Sequence, residues 1–82
     1  MIPRIKSIKP LENYMLYVMF DDKKEVIYDV KTDIENIKSY EALRKVQGLF
    51  ECVKLDQSRT VVFWNDEIDL PSDIIYEYGT VV

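Results

Sequence analysis

The chain has 82 residues, a mass of 9.8 kDa, 48% apolar and 32% charged residues, and a net charge of −4. That is the composition of an ordinary globular domain, and the length supports one domain, 1–82, around a single core. It contains no histidine and one cysteine, Cys52, which excludes imidazole bases and ligands, Ser–His and Cys–His nucleophile pairs, an intrachain disulfide and a multi-cysteine zinc site.

In chain order, Ile5 and Ile8 lie between Pro3 and Pro10 and are expected on an edge strand, since proline cannot donate to a central ladder. Tyr14 to Phe20 is apolar at every position. Tyr14, Leu16, Val18 and Phe20 fall on one face and Met15, Tyr17 and Met19 on the other, so a central strand covered on both sides is expected. Asp21-Asp22-Lys23-Lys24 is a polar turn without glycine, in which one of Asp21, Asp22 or Lys23 is expected at positive φ. Val26, Tyr28 and Val30 resume the alternation and complete a β-hairpin.

From Lys31 to Gln47 the residues favour helix. Thr32 or Asp33 is a candidate cap for a turn through Lys38. Ser39 is a candidate cap for a second helix, Tyr40 to Val46, with Leu43 and Val46 facing the core. Gly48 is a natural stop. Val46, Leu49, Phe50 and Val53 also keep helical spacing, so one longer helix competes with a helix followed by a strand over 51–55; the cost of an internal glycine favours the second. Thr60 to Trp64, all β-branched or aromatic, is the strongest strand. Asn65-Asp66-Glu67 turns it into Ile68-Asp69-Leu70. Pro71 then opens a short helix with Ile74, Ile75 and Tyr78 on its apolar side. The order β-β-β-α-β-β-β-α implies an α+β fold: one mostly antiparallel sheet of five to six strands with two short helices.

Little in this order carries chemistry. Two separated glycines make no phosphate loop. Asp66, Glu67 and Asp69 cluster in a hairpin but match no loop that wraps a cation, so no metal, cofactor or catalytic residue is assigned and no enzymatic activity is expected. Cys52 is expected to be buried packing, a common fate of free cysteine. No apolar run approaches the length of a membrane span. The start of the sequence lacks the apolar stretch of a secretory signal, and with a lone cysteine this leads us to expect a cytoplasmic protein. The acidic balance argues against direct binding to nucleic-acid phosphates. Charge is uneven: residues 66–82 carry five acids and no base, while 1–10 carry Arg4, Lys6 and Lys9 and no acid. Six tyrosines are many for one small core. They serve either as its rim, with hydroxyls in water, or as interface residues.

The ordered features resemble a bacterial family, domain of unknown function 2442. The opening Pro3-Arg4-Ile5-Lys6-Ser7-Ile8-Lys9-Pro10 is similar to its first strand. Leu16 to Asp21, Tyr28-Asp29-Val30, the Leu43 to Phe50 segment, Val62 to Leu70 and Ile75-Tyr76-Glu77 follow in the family's order. Lys23 and Glu67 stand where the family commonly has glycine. The resemblance implies an α+β domain with antiparallel strands and names no catalytic residue. It also implies an association with a neighbouring small protein, of toxin–antitoxin or regulatory type.

The function expected is a non-enzymatic protein-interaction module. Its candidate surface is Trp64, Asp66, Asp69 and Tyr76, and its partner a protein encoded nearby. The alternative is a regulatory domain acting on nucleic acid through a dimer or a fused or partner DNA-binding protein. A homodimer through the edge strand at Ile5–Ile8 is open, because unpaired strand edges accept another chain.

Overall fold

The computed structural model describes residues 2–82. Its elements are β1 (Ile5–Leu11), β2 (Met15–Phe20), β3 (Glu25–Asp29), α1 (Lys31–Asn36), α2 (Ala42–Lys45), β4 (Lys54–Leu55), β5 (Val61–Asn65), β6 (Ile68–Pro71), α3 (Ser72–Tyr78) and β7 (Thr80–Val81). The fold is α+β, with two antiparallel sheets, β1-β2-β3-β7 and β4-β5-β6.

Alternation builds the first sheet. Register sets Ile8 opposite Val18, Val18 opposite Val26, and Leu16 opposite Tyr28. These side chains share one face with Ile5 and Phe20, and all but the half-buried Ile8 are buried. In the second sheet Val62 and Leu70 are directly opposed, and Val62, Trp64, Ile68 and Leu70 point inward. The two inner faces close on one apolar cluster, completed by Ile34, Tyr40, Leu43, Phe50 and Ile75 from the segments between them. Each such side chain contributes about 1.5–3 kcal/mol by leaving water.

The expected single sheet is thus two. After β3 the chain leaves the first sheet through the helical segment, and β4–β6 form a separate ladder that packs across the core. The seventh strand was not expected from sequence. Thr80 and Val81 pair with Ile27 and Val26. A close passage allows it: a Cβ on Gly79 would lie 2.7 Å from the Ile75 carbonyl oxygen and 2.9 Å from Val26 Cβ.

The helical region is more broken than its propensities suggest. Ile37 is extended (φ −116, ψ 112), so α1 stops at Asn36 and a 3-10 turn over Lys38–Glu41 leads into α2. Among the described residues the α-helices therefore number three rather than two. Neither Thr32, Asp33 nor Ser39 caps a helix; Asp33 instead accepts a 2.6 Å bond from the Tyr28 hydroxyl. The helix expected through Val46 ends earlier, at Lys45, where Val46 is already extended (φ −94, ψ 111), and Gly48, at φ +82, serves the turn closed by the Leu49 amide on the Val46 carbonyl oxygen rather than the helix end. The segment after it is a 3-10 turn, Phe50–Cys52, and the strand is only Lys54–Leu55.

Three burial expectations are corrected, at Val46, Cys52 and Tyr78, each at the end of a short helical segment where the inward-facing stripe has already run out. Val46 is 52% exposed although Leu43 is buried. Cys52 is exposed, its thiol 3.3 Å from the Gly48 carbonyl oxygen. Tyr78 is 68% exposed, and Tyr76 takes the place inside. Pro71 ends β6 rather than opening α3, which starts at Ser72; the buried Ser72 hydroxyl donates to the Pro3 carbonyl oxygen at 2.6 Å. The outward face of β2, expected to be covered, carries only half-buried side chains.

Candidate functional site

Asp21 to Lys24 must reverse the chain between β2 and β3 without glycine. Lys23 adopts the left-handed conformation, φ +76, and donates its N–H to the Phe20 carbonyl oxygen. This is the position where glycine, with no Cβ, meets no steric penalty. Asp22 steadies the turn by accepting the Lys24 backbone amide at 2.9 Å.

Beside this turn lies a cleft of about 830 Å³, lined by Ile2, Pro3, Arg4, Phe20, Asp21, Asp22, Thr60 and Tyr76. Its apolar side is made by Pro3, Phe20 and Tyr76, with the two rings edge to face, centroids 4.8 Å apart. Tyr76 is held from three directions. Its hydroxyl donates to Asp22 Oδ2 at 2.6 Å, Lys24 Nζ sits 3.8 Å from its ring centroid, and the same ammonium donates to its carbonyl oxygen at 3.0 Å. At the opposite rim the Arg59 guanidinium grips Asp21 with two bonds, 2.8 and 3.0 Å. Arg59 itself is left-handed, φ +62, and its carbonyl oxygen accepts the Ile5 amide, tying the two sheets together.

Asp22 and Tyr76 shift each other's titration in opposite directions. The Tyr76 hydroxyl and the Lys24 amide hold the Asp22 carboxyl below the usual carboxylate value. Donating to that carboxylate pushes the Tyr76 phenol up. Among the described residues no three acidic or cysteine side chains gather as a metal site.

The four residues singled out from sequence do not form one surface. Trp64 is 4% exposed. Its indole N–H donates to the Phe50 carbonyl oxygen at 2.9 Å, and its ring stacks on Phe50 at 5.9 Å, so it is a core residue and offers no anchor to a partner. It faces inward because the two-residue period of β5 sets it on the same side as Val62. Asp66 and Asp69 are exposed on the β5–β6 hairpin. The backbone carbonyl of Asp69 accepts the Tyr40 hydroxyl, while burial pushes the Tyr40 phenol up to about 12. Tyr76 belongs to the cleft, next to the β2–β3 turn. Residue order alone does not join that turn to Tyr76, although its four consecutive charged residues without glycine mark it as unusual. Of the six tyrosines, Tyr28 and Tyr40 are buried with bonded hydroxyls, Tyr14, Tyr17 and Tyr76 are half-buried, and Tyr78 is exposed.

No curated protein and no solved structure matches the chain. The match to a family is nearly complete along its length: over residues 5–80 it fits the model of DUF2442, proteins of unknown function, and the chain belongs to that family.

Proposed function

We propose that this chain is a non-enzymatic protein-interaction module, and that it receives a segment of a protein partner carrying an apolar side chain beside Lys or Arg. The observation that carries this reading is the cleft, whose wall joins Tyr76 of α3 to Asp22 of the β2–β3 turn. A concave, mainly apolar site with a few convergent polar groups is the usual form of a binding site. The acidic character of the C-terminal segment, whose α3 supplies Tyr76, supports a basic partner. Asp66, Glu67, Asp69, Asp73 and Glu77 are all exposed, and the ion pairs among the described residues are Lys31–Asp29, Lys45–Glu41 and Arg59–Asp21, none of which uses them. The absence of histidine from the sequence and the lowered Asp22 carboxyl speak against acid–base catalysis. A neighbouring toxin–antitoxin-like or regulatory protein is the first partner to try.

The test is a tagged pull-down from the host with mass spectrometry, run in parallel on three chains. The wild type should retain one small basic protein near stoichiometry. The double variant Asp22→Lys, Glu77→Lys should lose it, and Lys9→Glu, on another surface, should keep it. Equal capture by all three removes the cleft from the account.

A second reading, regulation of nucleic acid through a dimer or a DNA-binding partner, draws on Arg4, Lys6 and Lys9. All three are exposed, and none is ion-paired among the described residues. It requires salt-dependent retention of duplex; no retention at low salt, with or without the partner, rejects it.

A further inference from the structure

The outward face of the four-stranded sheet is apolar where solvent meets it. Register places Leu11, Met15, Tyr17, Met19 and Ile27 together on that face. All five are half-buried, and none belongs to the cluster that forms the core or packs against it. The helices lie on the other side: Tyr76 of α3 packs on Phe20, and Ile34 and Leu43 join the core. An antiparallel sheet with one wet face ordinarily alternates apolar in and polar out, and β2 breaks that rule at three successive outward positions.

Charges flank this stripe with opposite sign on its two sides. On β1, Lys9 stands opposite Tyr17; it is exposed and has no ion pair among the described residues. On β3, Glu25 stands opposite Met19 and Asp29 opposite Met15. Glu25 accepts the Tyr17 hydroxyl, and Asp29 lies 3.4 Å from Lys31.

We propose that this face docks on the same face of a second copy of the chain, about a two-fold axis parallel to β2. That axis lays β2 on β2, and β1 of each copy over β3 of the other. Lys9 of each copy then meets the Glu25–Asp29 row of the other, twice per dimer, around a centre of Met15, Tyr17 and Met19. A two-fold axis running across the strands sets Lys9 on Lys9 instead and is disfavoured. A second copy supplies the required mirror order of base, apolar stripe and acid by construction, whereas an unrelated partner must carry it independently. Methionine adapts its shape to an opposing surface, and tyrosine at the centre of an interface is a frequent energetic anchor. Sheet spacings give a flat footprint on the order of 300–400 Å² per copy, below the ~800 Å² per partner of a standard interface. The dimer is therefore a weak, concentration-dependent one.

The test is sedimentation velocity on the intact chain from low micromolar to near-millimolar concentration. The mass should rise from 9.8 kDa towards twice that value. Lys9→Glu and Met19→Lys should each weaken association at least about tenfold, with far-UV circular dichroism unchanged. Combining Lys9→Glu with Asp29→Lys should restore association. A monomer at every concentration overturns the proposal, as does a dimer indifferent to Lys9→Glu and Met19→Lys, which would place the contact elsewhere, such as the β1 edge. Failure of the charge exchange to restore association overturns the two-fold arrangement. Should Met19→Lys unfold the chain, Lys9→Glu, at an exposed site, carries the same comparison. The cleft lies on a different surface, so either proposal survives the loss of the other.

Discussion

Leu16 and Tyr17 are neighbours on one strand, are both apolar in character, and meet opposite fates. Leu16 is fully buried between two sheets; Tyr17 is half-buried on the opposite face, outside the core cluster. The same holds for Val18 and Met19. Continuous apolar character therefore does not report burial on both faces of a strand. Here one face is consumed by the fold and the other carries half-buried side chains outside the core cluster, and only the position of the second sheet distinguishes them.

The sharpest way to exercise this contrast is to truncate on each side. Leu16→Ala should cost about 2–5 kcal/mol of unfolding free energy, since it leaves a cavity in a closed core. Met15→Ala, one residue away on the open face, should cost under about 1 kcal/mol, as surface substitutions generally do. Urea denaturation at a concentration where the chain is monomeric reads both, and equal losses would mean that the outer face is covered after all.

Trp64→Ala extends the comparison to the second sheet. It removes a buried ring and leaves the Phe50 carbonyl oxygen without its donor. An expected loss of about 3–5 kcal/mol in a domain this small should abolish the cooperative transition. Retained stability would show Trp64 to be peripheral and return it to the binding surface.

A smaller effect of opposite sign is expected at the β2–β3 turn. Lys23→Gly relieves a left-handed residue at φ +76 and should stabilise by about 0.5–1 kcal/mol, the relief outweighing the extra entropy of the unfolded glycine. A thermal melt that moves downward would contradict the turn geometry.

The smallest effect concerns pH at the cleft. The Asp22 carboxyl is lowered from its ordinary 3.8, so its contribution is full above that value and is lost as pH falls through the lowered one. The Tyr76 phenol is raised from 10.0, so its contribution is full below that value and is lost as pH rises through the raised one. Tyr76→Phe should flatten both limbs of the stability profile. A profile unchanged by that variant would assign the limbs to other groups.

Much of this was legible in the residues. The alternation of Val26, Tyr28 and Val30, the β-branched run at Val61 and Val62, and Gly48 as a turn residue act through local sterics and a period of two, and the chain keeps to them. Family membership could also be read, because it rests on the order of short segments rather than on any contact. The site was less legible. Tyr76 was marked, but its partners Phe20, Asp22 and Lys24 lie more than fifty residues away, and no local rule joins them. Trp64 is singled out for the wrong reason: a tryptophan beside a turn suggests an accessible anchor, whereas alternation with Val62 points it inward and the acceptor on Phe50 satisfies its N–H there.

By itself the sequence determined where strands alternate, where the chain must turn, the exclusion of histidine chemistry and the uneven distribution of charge. These depend on residue type and spacing alone. Tertiary structure decided that there are two sheets rather than one, that Gly79 lets β7 close against Val26, and which face of β2 stays open. These depend on which distant segments pack together, and burial is a property of pairs of surfaces rather than of one segment.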